Sequence, residues 1–233
     1  MAKNSIQARH RVHSIASISP EYCQLAVTFA ARRNYLPKPF RIMHSIVVFA
    51  SGAGSNAAAI IDHFKANGLA KVALIVCNKQ NAGVLQIAQN EHIPYLTVDR
   101  QTYGAAMMME QIRDCNPSLI VLAGFLWKIP AHLIEAFPGR IVNIHPALLP
   151  AYGGKGMYGG RVHEAVIANN ETESGITIHY VNEAYDEGSI IMQARCAVKT
   201  NDTASDLATR IHQLEHFYFP RTIEYLLQSG KSI

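Results

Sequence analysis

The chain has 233 residues, 49% of them apolar and 16% charged, with no low-complexity run. That composition suits one globular domain, long enough to bury a core on both faces of a sheet, and argues against a disordered or fibrous chain. No apolar stretch approaches the roughly eighteen residues of a membrane span, so a soluble protein with no membrane partner is expected.

The net charge of +4 is unevenly held. Residues 1–42 carry Lys3, Arg9, Arg11, Arg32, Arg33, Lys38 and Arg41 against Glu21 alone, a net +6 that leaves −2 for residues 43–233. Such a basic segment can serve nucleic acid, an anionic membrane or organelle targeting. Met43, however, stands immediately before the first good strand and is a natural place for translation to start. Residues 1–42 are therefore expected to be a poorly ordered or non-native extension, with no nucleic-acid partner, and residues 43–233 to be a single domain. Cys23, Cys77, Cys115 and Cys196 are scattered, with no C-x-x-C spacing. They read as free thiols in a reducing, cytoplasmic setting.

From residue 44 the pattern alternates. Apolar runs at 45–50, 71–77, 94–98, 118–123 and 140–144 predict strands, and segments near 56–66, 82–91, 103–115 and 130–137 predict helices, with Pro130 in a first turn. This order predicts βαβ units and a parallel sheet covered by helices on both faces. Further on, 161–169 reads as a helix, and 175–181 and 189–198 as two strands. Their short connector favours antiparallel pairing. A last helix is predicted over 204–228, with Thr203 as its N-cap and Gly230 beyond its end. The expected fold class is α/β: a mostly parallel open sheet of about seven strands with an antiparallel element near the C-terminus.

The first strand runs into Ser51-Gly52-Ala53-Gly54-Ser55-Asn56 and then a helix, an arrangement whose free N–H groups suit an anion. The third glycine of a dinucleotide fingerprint is missing, and Asn78 stands where an acid would follow the second strand. A monophosphate fits better, and an ordinary strand-to-helix turn is the plain alternative. Leu122 to Trp127 follow the fourth strand with apolar bulk suited either to a flat ring ligand or to core packing.

Asn143 and His145 share one face at the carboxyl end of the fifth strand, where open sheets bind ligands, and a Gly-rich loop follows. Amide and imidazole there can polarise a carbonyl and move a proton. A carboxylate within reach, for which Asp186 in Tyr185-Asp186-Glu187-Gly188 is the candidate, would hold the imidazole's tautomer and raise its pKa. His212 to His216 spell H-x-x-E-H, a zinc pattern, but no third ligand follows at metal spacing, so no metal is expected.

Taken in order, SGAGSN, LAGFLWKIP, VNIHPALLPAYGGKGMYG, GITIHYVNEAYDEGSII and HQLEHFYFP resemble the phosphoribosylglycinamide formyltransferases, folate-dependent enzymes of purine synthesis. The likeness runs from about Met43 to Leu227. It implies Asn143, His145 and Asp186 as the catalytic trio, and Gly54, Ser55 and Asn56 as a ribose-phosphate loop. His212, Gln213, Leu214 and Glu215 match the segment that holds the rest of glycinamide ribonucleotide. Arg100, Leu126, Trp127, Lys128, Ile129, Asn143, Asn182, Glu183, Ala184, Tyr185 and Asp186 match the walls around 10-formyltetrahydrofolate, the co-substrate. A cis peptide before Pro150 is implied as well. One departure stands out: many relatives carry a loop histidine where Tyr158 and Gly159 stand here, and His163 comes later. No role is carried over to that loop histidine.

The chemistry so implied is direct attack by the ribonucleotide's neutral amine on the formyl carbon. Asn143 and a protonated His145 would stabilise the tetrahedral intermediate, and Asp186 would favour the imidazolium. The rivals are formyl-folate hydrolysis or formyl transfer to aminoacyl-tRNA or a sugar amine on the same core. More remote is a non-catalytic phosphate- or nucleotide-binding module. The hydrolase and tRNA enzymes carry additional domains for which this chain's length leaves no room.

Overall fold

A computed structural model describes residues 43–230. The expectation for residues 1–42 lies outside the described residues. Seven strands form one sheet: β1 (His44–Ala50), β2 (Ala70–Cys77), β3 (Tyr95–Thr97), β4 (Leu119–Leu122), β5 (Ile141–His145), β6 (Glu173–Tyr180) and β7 (Ile190–Ala197). Among the described residues six helices accompany them: α1 (Ser55–Asn67), α2 (Gly83–Asn90), α3 (Ala106–Asp114), α4 (Ala131–Ala136), α5 (Gly160–Ala168) and α6 (Ala204–Ser229). Among the described residues no helix is long and apolar enough to cross a membrane.

The spatial order is β3-β2-β1-β4-β5-β6-β7. The first five strands are mutually parallel, while β6 is antiparallel to both β5 and β7. The chain leaves β1 toward β2 and β3, then returns to place β4 on the other side of β1. That reversal opens a crevice at the carboxyl ends of β1 and β4. The central strands are mostly apolar because both faces are buried. In β1, Ile46 and Val48 join the core under α1 and α6, whereas Val47 and Phe49 join the core under α3 and α4.

Local differences from the predicted elements have local causes. The third strand is shorter than 94–98 and partly exposed, as befits a sheet edge. The helix predicted from 103 begins at Ala106, because Asp99 Oδ1 accepts the Gln101 and Thr102 N–H groups and holds a turn first. Pro130 precedes its helix as N-cap in an extended conformation instead of sitting in the first turn. Thr203 caps α6 as predicted, in a reciprocal box with Asp206, and Gly230 ends that helix at φ 60°.

The segment after His145 is anchored from the neighbouring strand. Buried Thr177 donates to the Ala147 carbonyl at 2.7 Å and accepts from Leu149 N–H at 3.0 Å and Gln193 Nε2 at 2.9 Å. The Leu149–Pro150 peptide that follows is cis. Thr177→Val keeps the shape but leaves buried polar groups unpaired. It should cost about 1–3 kcal/mol, read as a lower urea midpoint at unchanged m value.

Candidate active site

The crevice is a cavity of about 700 Å³. At one end, the loop after β1 is tied to the loop after β4: Ser51 Oγ accepts the Leu126 N–H at 3.0 Å, and the Ser51 N–H donates to Gly124 O at 3.1 Å. Gly54 adopts φ 85°, and a Cβ there would lie 2.8 Å from Val84 Cβ, so only glycine lets this loop pack on α2. The first N–H groups of α1 consequently open into the cavity, which Gly54, Ser55 and Asn56 line. Asn56 Nδ2 donates to Glu215 Oε2 at 2.9 Å, while Asn56 Oδ1 is buried without a partner. Burial pushes the Glu215 carboxyl up, with Asn56 and the charge of His212 opposing it.

The middle of the cavity is built on the β5–β6 pairing, which sets Asn143 opposite His179 and His145 opposite Thr177. His145 Nε2 donates to the Tyr152 carbonyl at 2.7 Å, and its Nδ1 lies 3.5 Å from Asp186 Oδ2. The connector after β6 folds back to bring Asp186 here. Its return is so close that a Cβ on Gly188 would run into the Tyr180 carbonyl. Asp186 sits at φ 57° and accepts the Gly154 N–H at 3.0 Å.

Two pKa directions describe this cluster. Burial lowers the His145 pKa more than Asp186 and the Tyr152 carbonyl raise it, so the upward push expected from Asp186 is present but outweighed. The physical reason is that charging a buried ring costs more than a carboxylate 3.5 Å away returns. For Asp186, burial acts upward but is outweighed by the His179 and His145 imidazoles and the Gly154 N–H, so the carboxyl stays below its usual range.

The other end is aromatic. Phe125 meets Phe49 edge-on at 5.2 Å, Tyr103 packs on Trp127 at 5.2 Å, and the Tyr103 hydroxyl donates to Lys128 O at 2.9 Å. The Arg100 guanidinium lies 4.2 Å over the Trp127 ring. Of these groups Phe125 and Trp127, with Tyr185, line the cavity, and an aromatic wall of this kind suits a planar ligand.

Most of the residues singled out in the sequence come together. Gly54, Ser55, Asn56, Leu126, Trp127, Lys128, Ile129, Asn143, His145, Asn182, Ala184, Tyr185, Asp186, His212 and Glu215 all line this one cavity. Arg100 lines an adjoining cavity of about 600 Å³, to which Trp127 also contributes. Gln213 and Leu214 do not line it, because the helical repeat carries positions 212 and 215 to the cavity and turns the intervening two away. Glu183 points outward on its connector and is exposed. His212 and His216 stack 6.2 Å apart while Glu215 bonds Asn56, so H-x-x-E-H is spread over different contacts. No cluster suited to a metal occurs among the described residues.

Sequence reasoning missed two histidines, His163 and His179, both buried and lining the cavity. The signal for His179 was available: in GITIHYV, Thr177 and His179 alternate as the polar positions of an otherwise apolar strand. For His163 there was none, since one histidine in an amphipathic helix is unremarkable.

The formyl transferase family profile matches residues 44–223. This chain belongs to the formyl transferase family. A phosphoribosylglycinamide formyltransferase of Bacillus subtilis is 40% identical over 191 residues, 79% of this chain and 95% of the relative. A chloroplastic phosphoribosylglycinamide formyltransferase of Arabidopsis thaliana is also 40% identical, over 73% of this chain. There the match spans only 61% of the relative's length. The crystal structure of the phosphoribosylglycinamide formyltransferase from Bacillus halodurans superposes with a TM-score of 0.74 at 35% identity, covering 81% of this chain and 98% of the other. The mixed seven-stranded sheet is thus the formyl transferase fold.

Within this formyl transferase, His163 is a neutral buried imidazole. Burial, with His212 and His145 nearby, pushes its pKa down from 6.5 to about 4, and its Nδ1 has no partner. An unfolded chain takes up this proton more readily than the native one. The stability it contributes is full above pH 6.5 and is lost as pH falls toward 4, in all about 3 kcal/mol. In His163→Leu the slope of unfolding free energy between those pH values should be shallower by up to about 1.4 kcal/mol per pH unit, measured by urea titration at several pH values.

Proposed function

We propose that this protein transfers the formyl group of 10-formyltetrahydrofolate to the primary amine of glycinamide ribonucleotide, and that residues 43–233 are a single formyltransferase domain. The observation that carries this reading is one continuous cavity with three chemistries in sequence. An anion-binding loop and the Glu215 carboxylate lie at one end, Asn143, His145 and Asp186 in the middle, and an aromatic slot at the other. The ribonucleotide's phosphate suits the N–H groups at the start of α1, with Glu215 and Asn56 beneath its polar body. The pterin and benzoyl rings suit the slot lined by Trp127 and Tyr185, with Arg100 beyond.

The reaction then follows from the site's proton positions. The amine lone pair forms a bond to the formyl carbon, and the carbonyl pair moves onto oxygen. His145 enters neutral, with its Nε2 proton committed to Tyr152 O, so Nδ1 is free to take the amine's proton. Asp186 stabilises the resulting imidazolium. The proton passes to the folate nitrogen as its bond to the formyl carbon breaks. No covalent enzyme intermediate is needed, and holding two substrates in line supplies much of the rate.

Spectroscopic assay of formyl-folate with and without glycinamide ribonucleotide tests the reading. Loss only with the ribonucleotide present is expected. Equal loss without it, with formate released, would mark a hydrolase instead. His145→Ala and Asp186→Ala should each lower kcat by about a hundredfold or more while the fold is retained, as checked by circular dichroism. Glu215→Gln should raise the KM for the ribonucleotide by about tenfold and leave the KM for formyl-folate unchanged.

A further inference from the structure

The loop that opens α1 has no charge of its own to set against a phosphate. Gly52 to Asn56 offer neutral donors only, and the ionisable side chain bonded to them is the carboxyl of Glu215, 2.9 Å from Asn56 Nδ2. A phosphate monoester carries roughly two negative charges at neutral pH, and the positive end of a helix balances only about half of one. A cation within reach of the loop would complete the balance. Lys79, Lys128, Lys155 and Arg161 line the cavity. Lys128 lies 5.9 Å over the Tyr185 ring, toward the aromatic end. Lys155 and Arg161 come from the stretch after β5, with Arg161 5.1 Å over the Tyr158 ring.

Lys79 is placed differently. β1 and β2 are parallel neighbours, and Ala50 stands level with Cys77. Two residues beyond these positions come Gly52 and Lys79, side by side at the carboxyl end of the sheet. The start of α2 then docks on the anion loop. Val84 N–H donates to Gly52 O at 3.2 Å, and a Cβ on Gly83 would lie 2.9 Å from Ala53 O. The Lys79 backbone is itself held in a turn, its carbonyl accepting the Ala82 N–H at 3.4 Å and the Cys77 thiol at 3.3 Å. Among the described residues no carboxylate pairs with its ammonium group.

We propose that Lys79 is a phosphate ligand, its ammonium supplying the counter-charge for the ribonucleotide's phosphate at the start of α1. This deepens the formyl-transfer reading and rests on it for the identity of the phosphate ester. A flexible stem with a compact, strongly hydrated charge at its tip suits a contact to one phosphate oxygen. The backbone N–H groups fix where the phosphate sits, and Lys79 sets how tightly it is held. The phosphate is remote from the reacting amine, so this contact is shared by ground and transition states and belongs in KM.

Lys79→Gln keeps much of the stem and removes the charge. It should raise the KM for the ribonucleotide about ten- to hundredfold, with kcat and the KM for formyl-folate within about twofold of wild type. The increase of that KM with salt should also be shallower in the variant. Lys79→Arg retains the charge and should recover most of the affinity. Lys71→Gln removes an exposed charge from the far end of β2 and should leave the KM unchanged. A Lys79→Gln protein with wild-type KM, an Arg variant as weak as the Gln variant, or a Lys71 variant weakened equally overturns the proposal. Calorimetric titration of the ligand-free protein with ribose 5-phosphate reads the contact without turnover. Weaker binding to Lys79→Gln than to wild type is expected, and equal binding, or none to either, overturns the proposal. Should the wild-type protein consume no formyl-folate when the ribonucleotide is added, the formyl-transfer reading fails, and the ribose 5-phosphate titration still decides whether Lys79 holds a phosphate.

Discussion

The antiparallel register between β5 and β6 is the constraint on which the site rests. It sets Asn143 beside His179 and His145 beside Thr177. One face of this pair therefore carries a row of polar side chains inside an otherwise apolar sheet. Shifting the pairing by one residue would turn all of them into the opposite layer. Thr177 is part of the same row, and its hydroxyl holds the backbone after His145. The chemistry of the cluster and the course of the loop above it thus depend on one register.

The cluster is a hydrogen-bonded network rather than three independent groups. Asp186 receives Gly154 N–H and Asn143 Nδ2 and stands near His145, so one carboxylate fixes a loop, an amide and an imidazole together. Its own position is costly in backbone terms: a non-glycine residue at φ 57° at the end of a tightly returning connector. Burial pushes the His145 pKa down, which disfavours a proton on its ring. The same burial strengthens the Coulomb attraction to Asp186 once that proton arrives.

The two ends of the cavity show how the fold assembles a site from distant stretches of sequence. Asn56 and Glu215 are 159 positions apart and bond directly, because α1 and α6 pack side by side on one face of the sheet. Trp127 and Arg100 come from the loops after β4 and β3 and stack at the opposite end. The strand order brings these loops to one edge, with the reversal at β1 and β4 leaving the space between them.

The sequence by itself determined the layer architecture. Apolar runs of period two, alternating with ten-residue helical patterns, have few ways to bury both faces of a sheet. Gly54, Asn143, His145 and Asp186 were legible because each sits at a strand end or turn, where loop chemistry is local. The motif resemblance identified Glu215, whose place beside Asn56 depends on helix packing. Tertiary structure alone decided the rest: the downward push of burial on the His145 pKa, the place of His179 beside Asn143, the burial of His163, and the exclusion of Gln213 and Glu183 from the cavity. These depend on desolvation and on who faces whom across strands and helices. Such quantities belong to pairs of residues far apart in the chain, so no reading of one segment at a time can supply them.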